Sequence, residues 1–374
     1  MRSTSTMVLK QIHLINFKNY ADVTLHFSEK MNCLAGNNGM GKTNILDAIH
    51  YLSFCKSFFN AIDSQNIKHG EGFFVIQGTY NRNGETTEVY CGQKRNQKKV
   101  FKHDKKEYDR LSEHIGMYPL VMISPADGEL INGTSEVRRK FIDGIISQYD
   151  KFYLEKLIAY NQVLKQRNAL LKQFYESRAF DSVTLEIWDE QLIIHGKAIL
   201  QIRTDFIKEF IPLFNKHYSY ISESKEAVSL KYESSVGERD YKNAILTSIE
   251  RDRVLHYTTV GPHKEDLDFT INGFSLKKFA SQGQQKSYLL ALKLAQFEFI
   301  KIKKNTKPLL LLDDVYDKLD EARFRKLIEL VSDDNFGQVF ITDTHADRIK
   351  DLFAVNSIDK KIFIVDNGVI EELK

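Results

Sequence analysis

A glycine-rich segment, Gly36–Thr43, carries the clearest chemistry in this sequence. It fits the pattern G-x-x-x-x-G-K-[ST] at every fixed position. The apolar run Met31–Ala35 precedes it and is typical of a buried strand, and apolar residues recur at helical spacing after Thr43. Strand, glycine-rich loop and helix in this order are the setting in which backbone N–H groups bind phosphates. A chance glycine-rich turn is the alternative, and we expect a nucleoside triphosphate site.

In a site of this kind, Lys42 contacts the β- and γ-phosphates and the hydroxyl of Thr43 binds Mg²⁺. The glycines let the backbone N–H groups turn inward around the phosphates. The predicted nucleotide-binding residues of the loop are Gly36, Asn37, Asn38, Gly39, Met40, Gly41, Lys42 and Thr43.

A second apolar run ends in two carboxylates. Leu309–Leu312 predicts a central strand, and Asp313 and Asp314 follow it directly. The carboxyl ends of parallel strands form the edge at which α/β proteins bind ligands. Beside a phosphate-binding loop, the pair predicts a site of nucleotide hydrolysis, in which Asp313 holds Mg²⁺ through water and Asp314 orients the attacking water. An acidic pair at a strand end also occurs for purely structural reasons.

Two further segments contain groups suited to a γ-phosphate. Ser281, Gly283 and Gln284 open a predicted helix, which brings together a hydroxyl, a glycine backbone and a helix N-terminus. An ordinary helix cap would use the same serine. His345 closely follows the apolar strand Gln338–Ile341, where it would sense the γ-phosphate, although a lone histidine is more often structural.

Length and composition favour a water-soluble protein of about two domains. The chain has 374 residues, of which 42% are hydrophobic and 28% charged, and its formal net charge is only +3. A nucleic-acid partner must therefore be argued from local patches. Three widely spaced cysteines (Cys33, Cys55 and Cys91) indicate buried thiols in a reducing cytoplasm. Because no apolar run approaches the roughly 20 residues that span a bilayer, we expect a cytoplasmic protein without membrane contact.

The order of predicted elements indicates an α/β protein with a helical insertion. Strands alternate with helices at both chain ends, which favours a largely parallel sheet covered by helices. The middle contains long amphipathic helices at Glu136–Ile146, Lys151–Tyr175 and Leu185–Phe214. We therefore expect an N-terminal part over 1–124 with added antiparallel strands, a mainly helical lobe over 125–256, and a return to the first fold over 257–374.

The most basic local run, Lys94–Lys106, lies in a predicted hairpin of the N-terminal part. Its lysines could contact a DNA phosphate backbone, or the run could simply be a solvated face. The candidate DNA-binding residues are Lys98, Lys99, Lys102 and Lys105.

Taken together, these motifs resemble the ABC-type ATPases of DNA maintenance, the group that includes the SMC proteins. More specifically, the chain resembles the RecF family of bacterial recombinational repair proteins, from Met7 onward. The segments that carry this resemblance are Leu14–Tyr20, Gly36–Ile49, Ser124–Asp127, Arg138–Asp143, Lys165–Leu171, Gly261–Asp266, Ser281–Lys286 and Leu312–Val315.

The resemblance implies an ABC-type ATPase head made from both chain ends, with the helical lobe inserted. It implies that ATP and Mg²⁺ drive formation of a head-to-head homodimer, in which Ser281 and Gly283 reach the partner's γ-phosphate. His345 would be the switch, and Asp317–Asp320 would cross the dimer interface. The ATP-bound dimer would act as a clamp on DNA, at gaps where single and double strands meet. It would work with RecR and RecO to load recombinase, and slow, DNA-dependent ATP hydrolysis would reset it.

Other nucleotide-dependent functions fit the sequence less well. An ATP-driven nuclease or helicase is the main alternative, although the sequence has no additional acidic metal cluster and no appended nuclease domain. A GTPase is disfavoured because neither Asn-Lys-x-Asp nor Thr-Lys-x-Asp occurs to bind guanine. A transporter ATPase would share the ATPase motifs, but not the large helical insertion or the other RecF-type segments.

Overall fold

The computed structural model describes residues 4–222, 226–236, 240–315, 321–344 and 359–373. The chain divides into two compact units. The first unit comprises Met1–Asp127 and Lys286–Lys374, and the second comprises Gly128–Gln285. Both ends of the chain therefore build the first unit.

A six-stranded sheet in the first unit has the order β16-β15-β3-β14-β13-β8. Its neighbouring strands are parallel, except that β16 is antiparallel to β15. Every residue of β3, β8, β13 and β14 is buried, which explains their continuous apolar character, because a parallel sheet is covered on both faces. The strands are β3 (Met31–Ala35), β8 (Leu120–Ile123), β13 (Leu309–Leu312), β14 (Val339–Asp343), β15 (Lys360–Asp366) and β16 (Val369–Leu373).

The second sheet of this unit has the order β12-β1-β4-β5-β6-β7, and β2 also pairs with β1. It is antiparallel apart from a short parallel pairing of β1 with β12. The antiparallel strands predicted for the N-terminal part include β4, β5 and β6. The strands are β1 (Ser5–Phe17), β2 (Tyr20–His26), β4 (Phe73–Arg82), β5 (Glu85–Lys94), β6 (Val100–His103), β7 (Lys106–Glu107) and β12 (Thr306–Lys307).

One apolar core joins both sheets with helix α1 (Lys42–Phe54). Ile45 and Ile49 of α1 belong to the same buried cluster as Leu9 of β1 and Phe340 of β14. Two further helices contribute to the first unit: α9 (Glu321–Ser332), and α8 (Gln282–Lys304), whose first residues belong to the second unit. The core therefore fixes the start of α1 at the end of β3, where the glycine-rich loop lies.

The second unit is mainly helical, as the sequence predicts. Its long helices α4 and α5 pack against each other and against α6, and three short strands form an antiparallel sheet in the order β11-β10-β9. The elements are α2 (Glu129–Asn132), α3 (Ser135–Tyr149), α4 (Lys151–Ser177), α5 (Ser182–Ser222), α6 (Tyr241–Leu255), α7 (Leu276–Phe279), β9 (Val228–Glu233), β10 (Asp266–Ile271) and β11 (Phe274–Ser275).

The sequence-based boundary at residue 257 differs from the division seen in the structure. Residues 257–285 group with the helical unit because β10 pairs with β9 over its whole length, and the chain joins the first unit again at Lys286. Of the helices in the described ranges, none is long and apolar enough to cross a membrane.

Candidate nucleotide-binding site

The glycine-rich loop leaves the parallel sheet at the carboxyl end of β3, and two of its glycines are required by close packing. Gly36 donates its N–H to the carbonyl of Asp343 (3.2 Å), and a Cβ at this position would lie 2.2 Å from the carbonyl oxygen of Val365. Gly41 has φ +114°, and a Cβ there would lie 2.3 Å from the side-chain amide of Asn19. Glycine is therefore favoured at position 36 by the neighbouring backbone of Val365, and at position 41 by the positive φ and the side chains of Asn19 and Tyr20.

Lys42 is buried at the start of α1, and its ammonium faces its own loop. The Nζ atom donates to the carbonyls of Gly36 (2.6 Å) and Asn37 (3.0 Å). Helix α1 has Gly41 as its N-cap, and no side chain caps its first amides. A cation and the uncapped N-terminus of a helix thus meet at the loop, which is the arrangement that binds phosphate.

The acidic strand end lies directly beside this loop. The hydroxyl of Thr43 donates to Oδ1 of Asp313 over 2.9 Å, although 270 positions separate the two residues. Thr342, at the end of the neighbouring strand β14, donates to the same oxygen over 2.9 Å. Burial raises the pKa of the Asp313 carboxyl to about 6, while the two hydroxyl donors act in the opposite direction. Asp314 follows with φ +45°, and its N–H donates to the Thr342 hydroxyl over 2.9 Å.

The residues gathered here suit Mg²⁺. The ion prefers oxygen ligands and is commonly held by one or two protein oxygens together with substrate phosphates and water. Thr43 and Asp313 supply a hydroxyl and a carboxylate within hydrogen-bonding distance of each other. Within the described ranges, this site included, no group of three or more His, Cys, Asp or Glu side chains is arranged to hold a metal ion.

Ser281 and Gln284 form a reciprocal helix cap at the start of α8, in the second unit. The Gln284 N–H donates to the Ser281 hydroxyl (3.2 Å), and the Ser281 N–H donates to the Gln284 side-chain carbonyl (2.7 Å). This is the capping-box geometry, with glutamine three residues after the serine. Ser281 is nevertheless exposed, and Gly283 lies in the first turn of the helix. The structure thus shows the cap, while the role toward a partner's nucleotide stays a prediction.

The four candidate DNA-binding lysines differ in their surroundings. Lys98 and Lys105 are exposed, and Lys102 lies half-buried with its ammonium 5.8 Å from the centre of the Tyr90 ring. Lys99 requires a correction. Its Nζ pairs with Asp63 (2.7 Å) and donates to the carbonyl of Cys55 (2.6 Å), and its side chain is only 10% exposed. Its ammonium is therefore committed inside the fold and is not available to a DNA phosphate.

Two sequence-predicted features are not covered by the structure. His345 and Asp317–Asp320 lie outside the described residues. The sequence reasoning also missed the contribution of Thr342, which bonds to both the Asp313 carboxylate and the Asp314 backbone. Its place at the end of an apolar strand, next to the predicted switch, was the available signal.

A buried ion pair between α8 and the segment after β8 was also missed. Lys293 of α8 pairs with Asp127 over 2.6 Å and donates to the carbonyl of Met122 in β8 over 2.9 Å. Both charged side chains are buried. The pair therefore ties α8 to the segment that follows β8.

This fold and this site define an ABC-type ATPase head of the kind found in SMC proteins. The family model described as "RecF/RecN/SMC N terminal domain" matches residues 8–370. The Smc head domain of Pyrococcus furiosus superposes with a TM-score of 0.58 at 17% identity, over 98% of this chain and 96% of that one, which supports the fold alone.

Relatives of higher sequence identity indicate which family within this class the chain belongs to. The "DNA replication and repair protein RecF" of Phocaeicola vulgatus is 53% identical over 98% of this chain and 99% of its own length. The protein of the same description from Flavobacterium johnsoniae is 50% identical over 96% of this chain and 99% of its own length. A solved structure described as "the recombination mediator protein RecF-ATP in RecFOR pathway" superposes with a TM-score of 0.90 at 31% identity, covering 100% of this chain and 99% of that one. The chain belongs to the RecF family.

Proposed function

We propose that this protein is an ATP-controlled DNA-binding protein of bacterial replication and recombinational repair. The observation that carries the proposal is the 2.9 Å hydrogen bond between Thr43 and Asp313. It brings the phosphate-binding loop and the acidic strand end together, as nucleotide chemistry requires. Family membership supports the biological role, because the relatives of about 50% identity are described as DNA replication and repair proteins. The RecF structure solved with ATP supports ATP as the nucleotide.

Each residue of the site has a distinct part in binding ATP. The loop amides and Lys42 hold the phosphates, and Thr43 and Asp313 hold Mg²⁺. When bound, Mg²⁺ neutralises charge on the phosphate oxygens. Asp314 lies one residue beyond Asp313, half-buried, and would orient the water that attacks the γ-phosphate. We infer slow turnover, since aspartate at this position reaches less far than glutamate.

We also propose that bound ATP holds two copies of the chain together as a homodimer. Ser281 and Gly283 would contact the γ-phosphate bound by the partner subunit, so the site would be complete only in a homodimer. The exposure of Ser281 is compatible with this role. The test is the solution mass of Asp314→Asn by light scattering, with and without ATP and Mg²⁺. A mass that doubles only with ATP supports the dimer, and a monomer with ATP demonstrably bound contradicts it.

Ser281→Arg separates binding from dimerisation. The larger, charged side chain should block the partner's phosphate while leaving the loop of the same subunit intact. We expect normal ATP affinity and no ATP-induced doubling of mass. An ATP-induced dimer of normal stability would mean that Ser281 serves only as the helix cap seen in the structure.

The proposed DNA contact is the basic hairpin, now restricted to Lys98, Lys102 and Lys105. Neutralising all three should weaken DNA binding and lower the slope of log K against log salt by roughly three, since each lost phosphate contact removes about one released counterion. The matched control neutralises three exposed lysines on helices of the other unit, Lys140, Lys172 and Lys208, whose side chains are 71–73% exposed. An equal loss in both triple variants would indicate an effect of bulk charge rather than a DNA contact.

The pathway partners follow from the family. The solved RecF structures are described as belonging to the RecFOR pathway, and we propose that this chain acts with RecR and RecO at single-strand gaps in the cytoplasm. No specific observation favours a nuclease or helicase. A strand-cleavage assay with Mg²⁺ and ATP tests that alternative directly, and we expect intact DNA.

A further inference from the structure

The turn between β1 and β2 contacts the second half of the phosphate-binding loop through two side chains. The amide of Asn19 donates to the carbonyl of Met40 (3.0 Å), and the hydroxyl of Tyr20 donates to the carbonyl of Gly41 (3.0 Å). Asn44, in the first turn of α1, donates to the side-chain oxygen of Asn19 over 2.7 Å and so fixes which way that amide points. Two consecutive carbonyls of the loop are therefore held by two consecutive residues of one turn.

The turn is also held by contacts outside the phosphate-binding loop. It closes the antiparallel pair β1–β2, in which Phe17 is opposite Tyr20. The Lys18 N–H donates to the carbonyl of Asn66 (2.8 Å), and the ammonium of Lys18 pairs with the fully buried carboxylate of Asp47 in α1 (2.6 Å). Lys68 donates to the carbonyl of Asn19 over 2.7 Å. The turn is thus tied to α1 and to the segment before β4, independently of the loop that it holds.

Holding these carbonyls determines where the following amides point. In a planar trans peptide, the C=O and the next N–H are directed oppositely. Asn19 draws the Met40 carbonyl toward the turn, so the N–H of Gly41 points away from it. The Gly41 carbonyl accepts from the Tyr20 hydroxyl and also from the N–H of Asn44 (2.9 Å), so Tyr20 reinforces the direction that the first hydrogen bond of α1 gives to this carbonyl and to the N–H of Lys42. These amides belong to the group that encloses the phosphates in a loop of this type.

Packing around Gly41 also indicates that the turn between β1 and β2 shapes the loop. A Cβ at Gly41 would lie 2.8 Å from the Tyr20 hydroxyl and within 2.9 Å of both side-chain amide atoms of Asn19. The turn therefore occupies the space that any other residue at this position would need. Tyr20 is fully buried, and burial raises the pKa of its phenol, so the hydroxyl remains a hydrogen-bond donor at any physiological pH.

We propose that Asn19 and Tyr20 are positioning residues for the nucleotide, which hold the Met40 and Gly41 carbonyls so that the amides of Gly41 and Lys42 face the phosphates. This inference rests on the proposed ATP-binding function. It assigns no contact between either side chain and the nucleotide. It predicts that the affinity for ATP depends on a hydroxyl that never touches ATP.

Tyr20→Phe is the central test, because it removes one hydroxyl and keeps the buried ring. We expect the Kd for ATP and for ADP to rise about fivefold, the effect of losing one hydrogen bond, and about twentyfold when Asn19→Ala is added. The matched control is Tyr118→Phe. Tyr118 is a buried tyrosine of the same unit whose hydroxyl bonds to Thr87 (2.8 Å) and His103 (3.0 Å) instead of the loop.

Stability and affinity are measured together, by thermal melting without nucleotide and by equilibrium nucleotide binding. Both phenylalanine variants should melt at similarly lowered temperatures, whereas only Tyr20→Phe should lose affinity. Equal affinities of the two variants at matched stability would overturn the inference. Should Tyr20→Phe fail to fold, Asn19→Ala alone, at a half-buried turn position, carries the same comparison.

The experiment also distinguishes this inference from the proposed function. Wild-type protein that binds no ATP would refute the proposed function, and the positioning role with it. Wild-type protein that binds ATP, loses it in Lys42→Ala and keeps it in Tyr20→Phe and Asn19→Ala would refute only the positioning role.

Discussion

Asp313→Asn should make the nucleotide-free protein more stable while destroying its Mg²⁺ site. In the folded chain, burial raises the pKa of Asp313 from an ordinary 3.8 to about 6. Because the pKa is raised, the folded state keeps the proton on Asp313 at pH values between about 4 and 6, where the unfolded state has largely lost it. Stability is therefore lost as pH rises from about 4 through 6, and the loss is complete above that range.

The size of the effect follows from the same two values. The difference between them means that ionisation of Asp313 destabilises the folded wild-type protein by about 3 kcal/mol at pH 7.5. At pH 4.5, where the carboxyl is only partly ionised in the unfolded chain, the destabilisation is about 1 kcal/mol. Asparagine keeps an oxygen that can accept from Thr43 and Thr342, but its new N–H₂ group, if it finds no acceptor, costs about 1–2 kcal/mol. We expect a net gain of about 1–2 kcal/mol at pH 7.5. The stability difference between variant and wild type should grow by about 2 kcal/mol from pH 4.5 to pH 7.5.

The assay must follow the unit that contains Asp313. The single tryptophan, Trp188, lies in α5 of the second unit, so its fluorescence follows the other part of the molecule. We would equilibrate both proteins in urea at each pH and apply a brief deuterium pulse at one fixed pH. The labelling of Leu309–Leu312, in the strand before Asp313, then gives the unfolded fraction of the first unit.

Asp314→Asn is the matched control, since it makes the same chemical change one residue further on, at a half-buried side chain. We expect the larger pH-dependent change in Asp313→Asn, because its carboxyl is the buried one. If the stability difference between Asp313→Asn and wild type is the same at pH 4.5 and 7.5, the reasoning is refuted. Such a result would mean that burial does not raise the pKa of the Asp313 carboxyl. Loss of Mg²⁺-dependent ATP binding in the stabilised variant completes the prediction.

Three further changes test individual contacts. Lys42→Ala should lower ATP affinity at least a hundredfold by equilibrium dialysis, because it removes the ammonium at the loop that we propose binds the β- and γ-phosphates; undiminished affinity would refute the site. Lys293→Met should cost about 3–5 kcal/mol in urea denaturation by leaving the Asp127 carboxylate buried without its partner, and adding Asp127→Asn should restore much of that loss. Lys99→Met should destabilise the first unit by breaking the pair with Asp63, yet change DNA affinity less than twofold; a large loss of DNA binding at full stability would reinstate Lys99 as a contact.

The features that depend on contiguous residues could be predicted from the sequence. Gly36–Thr43 and the strand before it form one local unit, and the glycines at 36 and 41 occupy positions where a Cβ would clash. The run Leu309–Leu312 is apolar throughout because a strand in the middle of a parallel sheet is buried on both faces. Fold class and family followed from these patterns, since hydrophobic periodicity and loop chemistry are properties of neighbouring residues.

Which distant groups meet depends on the folded arrangement of the strands and helices. Strand order, rather than any local pattern, brings Thr43 within 2.9 Å of Asp313. The same is true of the pairing between β9 and β10, which places residues 257–285 in the helical unit. Lys99 resembles its neighbours in the basic run, yet Asp63 and the Cys55 carbonyl enclose its ammonium. A charge at the surface and a charge committed to a buried partner look alike in sequence, because burial depends on what the rest of the chain packs against them.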